Sequence, residues 1–198
     1  ITDANLQALN GREFTSALPD SLVLISEQTA SSDTSIDITS GIDSTYDVYV
    51  IEFINLHPSS DRVDLKFQGN ASGQTGFNEV VTNARAGSRG KEVASISGVD
   101  YDDFAGSQSA GDIHLSRRTG ADADQSISGN ILLFRPADTT SVTMWQVQHT
   151  SQHGDQWWNH GWTAGYFNVA AAIDEISIYF SSGTIQTGKI KLYGIGGA

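Results

Sequence analysis

Short runs of alternating apolar and polar residues recur along the chain and predict β-strands. The clearest alternation lies at 62–67, where Val63, Leu65 and Phe67 share one face, because successive side chains of a strand point to opposite sides. A longer run at 46–56 is dominated by β-branched and aromatic residues, which suits a central strand. A break containing proline and serine separates the two runs, and we therefore predict that they form an antiparallel hairpin.

Further strands are predicted on both sides of a polar central region. In the stretch 141–149, two sets of residues alternate, Val142, Met144, Gln146 and Gln148 on one face and Thr143, Trp145, Val147 and His149 on the other. Short strands separated by turn signals predict an all-β fold, an antiparallel β-sandwich of the jelly-roll kind. The other predicted strands are 21–25, 35–38, 128–134, 172–180 and 189–195.

Residues 1–20 differ from the strand-rich remainder, and we expect them to form an N-terminal arm or a short helix. Asp3 is a favourable residue for a helix N-cap, and the Asn10-Gly11 pair would end a helix that carries Leu6 and Leu9. One or two helical turns bury little surface by themselves. We therefore expect the arm to pack on its own domain or on a neighbour, with Leu6 and Leu9 as its anchor.

Residues 21–198 are predicted to form a single β-sandwich domain with a polar insertion around 69–126. Within the insertion, 77–86 is compatible with a short helix or an irregular excursion, whereas 92–99 and 112–116 are compatible with strands. Long polar insertions in a β-sandwich usually lie at one end of the domain and often carry its specificity. The insertion is therefore a candidate for a functional surface.

Composition and charge narrow the classes of partner. The chain has 198 residues, a net charge of -12 and only 11 lysines and arginines, which are scattered, whereas nucleic-acid binding requires clustered basic residues. No apolar run is long enough to cross a bilayer, so we expect neither nucleic-acid binding nor membrane insertion. The absence of cysteine excludes disulfides, zinc-thiolate sites and cysteine nucleophiles.

Three segments resemble a recurrent module of tailed-bacteriophage virion proteins. The first reads Gly-Ile-Asp-Ser-Thr-Tyr-Asp at 41–47 and leads into a long apolar strand. The second is the turn Asn-Leu-His-Pro-Ser-Ser-Asp at 55–61. The third spans 176–195 and includes Phe-Ser-Ser-Gly-Thr-Ile and Leu-Tyr-Gly-Ile. The matches cover the first half of the strand region and the last fifth of the chain.

This resemblance implies a non-enzymatic structural protein on the surface of a virion, where members of the family occur as tail, fibre or head-surface (decoration) components. It implies no catalytic residue and no cofactor. The expected partners are copies of the same chain, with a homotrimer favoured because projections usually form symmetric homo-oligomers, and the other virion proteins of the capsid or tail. Host attachment through a surface glycan is the alternative function.

The stretch 145–167 contains all four tryptophans together with three histidines, a tyrosine and a phenylalanine. One interpretation is an aromatic loop that binds a glycan or a partner, since aromatic rings stack on sugar faces and anchor interfaces. The other is a loop folded over the end of the sandwich, or aromatic side chains buried at a subunit interface. The residues predicted to contact a partner or glycan are Trp157, Trp158, His160 and Trp162.

Histidines and aspartates in the same regions raise the question of a metal site. His149 and His153 are four residues apart, which on an extended strand places them on one face but ~13 Å from each other, too far to share one ion unless the chain turns. Calcium would need ordered oxygen ligands, and the twelve-residue EF-hand pattern is absent. We therefore predict no metal. The acidic residues considered for calcium are Asp100, Asp102, Asp103, Asp122 and Asp124.

Enzymatic activity is not predicted. The sequence has no Gly-x-Ser-x-Gly elbow, no phosphate-binding loop, no His-Glu-x-x-His motif and no dinucleotide fingerprint. A glycosidase would require two carboxylates that face one cleft, and the sequence alone identifies no such pair. We therefore expect no catalytic residues in this chain.

Overall fold

The computed structural model describes residues 22–91, 100–110 and 113–196. In these residues the chain forms twelve strands and no helix, which confirms the predicted all-β antiparallel class. None of the described residues belongs to a helix long and apolar enough to span a membrane. The strands are β1 (Leu22–Thr29), β2 (Ile36–Ile38), β3 (Val48–Pro58), β4 (Leu65–Ala71), β5 (Val80–Lys91), β6 (Asp100–Ala110), β7 (Ile113–His114), β8 (Ile127–Phe134), β9 (Met144–His153), β10 (Trp157–Phe167), β11 (Ile173–Phe180) and β12 (Ile185–Ile195).

The strands form two sheets, and eight of the twelve make a jelly roll. The larger sheet has the order β1-β12-β3-β8-β9-β10-β5-β6, and the smaller one has the order β2-β11-β4-β7. When β5, β6, β9 and β10 are set aside and the others are renumbered from 1 to 8, the sheets read 1-8-3-6 and 2-7-4-5, the order of a jelly roll. The four remaining strands are two inserted hairpins, β5–β6 and β9–β10, which extend the larger sheet beyond β8.

The core lies between the two sheets. Ile51 and Phe53 of β3 are buried there together with Leu65 and Phe67 of β4, and burial of each such side chain contributes about 1.5–3 kcal/mol. Val63, Leu65 and Phe67 are all buried. The face predicted from their alternation is therefore confirmed.

The predicted hairpin between the runs at 46–56 and 62–67 is wrong. β3 pairs with β12 and β8 in the larger sheet, whereas β4 pairs with β11 and β7 in the smaller one. The chain crosses between the sheets after Pro58, so the apolar faces of β3 and β4 bury each other across the core. Alternation reports which face of a strand is buried, and it does not identify the neighbouring strand.

The polar insertion is more regular than the sequence indicates. The segment 77–86, predicted as a short helix or an irregular excursion, belongs largely to β5, which pairs with β6 and β10. The prediction for 112–116 is confirmed for the two residues of β7. The predictions for 92–99 and for the arm at 1–20, with its anchors Leu6 and Leu9, lie outside the described residues.

The β9–β10 hairpin turns immediately after His153 and is held from two sides. The backbone N–H of Gln156 donates to the carbonyl of His153 at 3.0 Å. Asp155, at the tip, accepts a hydrogen bond from Arg62 Nε at 2.7 Å and forms an ion pair with Arg118 at 3.6 Å. These contacts tie the hairpin tip to the segments that precede β4 and follow β7.

Candidate functional site

The solvent-facing side of the larger sheet, which we call the outer face, carries three of the four predicted contact residues. Trp158, His160 and Trp162 alternate along β10 and point to this side. The ring of His160 meets that of Trp162 edge to face, with a centroid distance of 4.1 Å. Trp162 is 49% exposed. The structure therefore places these three residues next to one another on one face of β10.

The remaining tryptophans lie on the opposite side of the sheet. Trp145 is buried in the core and packs edge-on against Phe67, with a centroid distance of 5.0 Å. Trp157 lies under the guanidinium of Arg89, 4.9 Å from the ring centroid. The predicted aromatic loop is therefore wrong, because these residues occupy the paired strands of a hairpin and the alternation of a strand separates Trp157 from Trp158.

A hollow on the outer face lies beside Trp162 and has a volume of about 410 Å³. Cross-strand pairing places Asn130 of β8, Gln148 of β9, Trp162 of β10 and Ala86 of β5 side by side. The next row across the same strands consists of Leu132, Gln146, Ala164 and Ala84. We refer to these eight residues as the outer hollow.

The amides of the outer hollow were missed by the sequence analysis. Asn130, Gln146 and Gln148 form no side-chain hydrogen bond with any other described residue. The alternation of Gln146 and Gln148 with Trp145 and Val147 already placed both glutamines on one face. Only the register between strands brings Asn130 and Trp162 beside them, and that register is a tertiary property.

An uncharged row crosses the outer face next to the hollow. Six residues on six adjacent strands are directly paired from β1 to β10, and we call them the apolar strip: Leu22, Ile195, Val48, Phe134, Met144 and Tyr166. Leu22 is 53% exposed and Met144 is 59% exposed. At about 4.8 Å per strand, the strip is ~24 Å long. The strip is therefore exposed at Leu22 and Met144 and partly exposed at its other four residues.

The inner side of the inserted hairpins is polar at the end near the β9–β10 turn. His149 is 5% exposed and its Nδ1 has no hydrogen-bond partner among the described residues. Burial, reinforced by nearby His160 and Arg85, lowers the pKa of His149 to about 4. Burial also lowers the pKa of His153, whose Nδ1 accepts a hydrogen bond from the backbone N–H of Asp155 at 3.0 Å. At neutral pH the buried His149 is therefore uncharged.

No metal centre is evident in the part of the chain that the structure describes. There, no group of three or more histidine, aspartate or glutamate side chains lies close enough together to hold an ion. His149 and His153 share the inner side of β9, whereas His160 belongs to the outer face. Asp122, considered for calcium, lies in a turn in which its carbonyl accepts the N–H of Gln125 at 2.8 Å.

The motifs that resemble phage virion modules occupy structural positions. Asp43 accepts the backbone N–H of Thr45 at 2.8 Å and the hydroxyl of Tyr49 at 2.9 Å. The ring of Tyr46 lies so close to Gly194 that a Cβ on this glycine would be 2.3 Å from it. These residues shape turns and the end of the sandwich. No protein-family model, no curated protein and no solved structure matches the chain.

Proposed function

We propose that the chain is a non-enzymatic structural protein of a phage-type virion, a head-surface, fibre or tail component that acts by self-assembly and by docking on other virion proteins. The sequence motifs that suggest this role coincide with the turns and packing contacts of the sandwich, including Asp43 and Gly194. The fold supplies a rigid scaffold with a broad, nearly continuous sheet surface. A surface protein of a particle needs both properties.

The apolar strip is the observation that carries this proposal. Outward positions of a sheet exposed to water are normally polar. Here one outward position on each of six neighbouring strands of the sheet is uncharged and largely apolar, and Leu24 adds a further residue that is 51% exposed. Contiguous exposed apolar surface of this kind usually marks a site of protein association.

We infer that a second copy of the same chain covers the strip. With a net charge of -12, two copies repel each other across most of their surfaces. None of the six strip residues is charged, so the repulsion is weakest there. At the end of the sheet beyond the strip, on the side away from the outer hollow, both signs of charge are present, since Arg135 pairs with Asp47 at 3.5 Å. Interfaces typically have such an apolar centre and a polar rim, with about 800 Å² buried on each partner.

The proposal is tested by the mass of the full chain in solution, measured by light scattering after size exclusion. We expect the wild type to be a trimer. Met144→Glu places a charge in the middle of the strip, and the cost of burying an unpaired carboxylate against apolar side chains should dissociate the assembly into monomers.

Thr150→Glu is the matched control. It introduces the same charge on the same strand and the same face, at an exposed position outside the strip, and it should leave the oligomer intact. A wild-type chain that is monomeric at about 100 μM, far above the Kd of a stable assembly, would contradict the proposal. So would a Met144→Glu variant with the same mass as the wild type.

A further inference from the structure

We propose that the outer hollow is a binding site for a neutral saccharide, in which one pyranose ring stacks on Trp162 and its hydroxyls bond to the amides of Asn130, Gln146 and Gln148. This inference goes beyond the proposed structural role and does not depend on it. The volume of about 410 Å³ lies within the usual range for small-molecule sites, about 300–1,000 Å³.

The stacking surface is an exposed indole held by its neighbour. The edge-to-face contact at 4.1 Å between His160 and Trp162 restricts the tryptophan ring on one side. On two of the other three sides the neighbours are small, since Ala86 is paired across from Trp162 and Ala164 follows two residues later on the same face, while Gln148 occupies the third side. Small neighbours leave a face of the ring open, and the C–H face of a sugar is the kind of surface that stacks on an aromatic ring.

The polar contacts come from three amides arranged around the indole. Gln148 is paired directly with both Trp162 and Asn130, and Gln146 lies one row away on the same strand. Each side-chain amide can donate two hydrogen bonds and accept two. Because no described residue bonds to these side chains, their capacity is available to a ligand. Sugar hydroxyls, which donate and accept at adjacent positions, match this pattern.

The chemistry of the hollow favours a neutral glycan over an acidic one. Its eight residues contain no charged side chain, although the chain as a whole carries a net charge of -12. Arg85 also borders the hollow, but on β5 it alternates with Ala84 and Ala86 and points to the inner side, where it lines the cavity that contains His149. An acidic sugar would meet no outward cation in the hollow and would be repelled by the overall charge.

Trp158 lies outside this site, which provides an internal control. Its ring lies against Gly90, where a Cβ would be 2.4 Å from the indole nitrogen. It borders a separate depression with Asn55, Ser128 and Gln152. A saccharide in the outer hollow should therefore be insensitive to the loss of Trp158.

The experiment applies the full chain to an immobilised panel of neutral oligosaccharides of glucose, galactose, mannose, rhamnose and N-acetylhexosamines, with uronic-acid and sialylated oligosaccharides as the acidic arm. The affinity of each hit is then measured by calorimetry. We expect binding to at least one neutral oligosaccharide, a Kd about tenfold weaker for Trp162→Ala and Gln148→Ala, and a change of less than about twofold for Trp158→Ala.

Three outcomes would overturn the inference. They are binding to acidic oligosaccharides only, no neutral oligosaccharide bound at about 1 mM, and a hit whose affinity is the same in Trp162→Ala as in the wild type. The oligomeric state is measured separately, so failure here leaves the assembly proposal unaffected. Circular dichroism of the Trp162→Ala and Gln148→Ala variants verifies that both remain folded, as expected for exposed side chains.

Discussion

Acidification from pH 7 to pH 5 is expected to destabilise the fold, because His149 is buried in its neutral form. The side chain is 5% exposed, and burial lowers its pKa from 6.5 to about 4. The charged or titratable groups around it are His160, His153, Arg85 and Arg117. Positive charge on Arg85 adds to the cost of protonating the imidazole, whereas the backbone of Leu115 favours the protonated form.

The direction and size of the effect follow from proton linkage. Between pH 6.5 and about 4, the unfolded chain binds a proton at His149 that the folded chain does not bind. The free energy of unfolding therefore falls as the pH falls through this window and levels off below pH 4. At 1.36 kcal/mol per pKa unit the full effect is about 3 kcal/mol, of which about 2 kcal/mol is lost between pH 7 and pH 5. His153, with its pKa also lowered, acts in the same direction.

The assay is urea unfolding at pH 7 and pH 5, monitored by tryptophan fluorescence at one protein concentration. His149→Gln keeps a polar side chain of similar size but does not titrate, so its free energy of unfolding should change by about 2 kcal/mol less between the two pH values. Asp64, with a lowered pKa, contributes only below about pH 4 and does not interfere. A wild type that loses less than about 0.5 kcal/mol, or a His149→Gln variant that loses as much as the wild type, would refute the reasoning.

Two further variants test packing and hydrogen bonding in the larger sheet. Gly165→Ala would place a Cβ 2.2 Å from the carbonyl oxygen of Thr82 and 2.7 Å from the ring of Trp145. Urea unfolding should therefore show that the free energy of unfolding falls by about 1–3 kcal/mol. The control is Ala164→Ser at the neighbouring outward position, which should leave the free energy of unfolding nearly unchanged. Tyr49→Phe removes a buried hydroxyl that donates to Asp43 and accepts its backbone N–H at 3.0 Å, so thermal and urea unfolding should show a loss of about 1.5–3 kcal/mol. Tyr46→Phe is its control, and an equal loss in both tyrosine variants would contradict the role of the hydroxyl.

The strands that were predicted from sequence are those with one face in the core. In β9 the alternation of Met144, Gln146 and Gln148 with Trp145 and Val147 separates outward from buried residues correctly. The inward positions of these strands meet other apolar side chains, so burial and sequence pattern coincide. The same logic located the core face of β4.

β5 was missed for the opposite physical reason. After the buried Val81, its inward residues are Asn83, Arg85 and Gly87, which lie over the polar end of the sheet near His149. A strand whose inner side is polar shows no hydrophobic period and cannot be distinguished from a loop by its pattern. The pairing of β5 with β10 is also a contact between two insertions far apart in sequence, and no local signal encodes it.

The candidate site was predicted in part. Trp158, His160 and Trp162 lie on one face of β10, because residues spaced by two along a strand point to the same side. Trp157 lies on the opposite face of β10, because adjacent residues of a strand point to opposite sides. Asn130 could not be identified, because its place beside Gln148 depends on the register of β8 against β9.

The insertion of both hairpins into a jelly roll that is complete without them makes the protein modular. Each hairpin leaves the eight-stranded frame and returns to it. Together the hairpins supply two of the six residues of the apolar strip, Met144 and Tyr166, and they also supply Trp162 and Gln148 of the outer hollow, so recognition can be redesigned while the frame stays constant. Because β10 pairs with β5, the hairpins are also complementary to each other. Replacement of one hairpin, in evolution or by design, therefore requires replacement of the other, so that the two still pair.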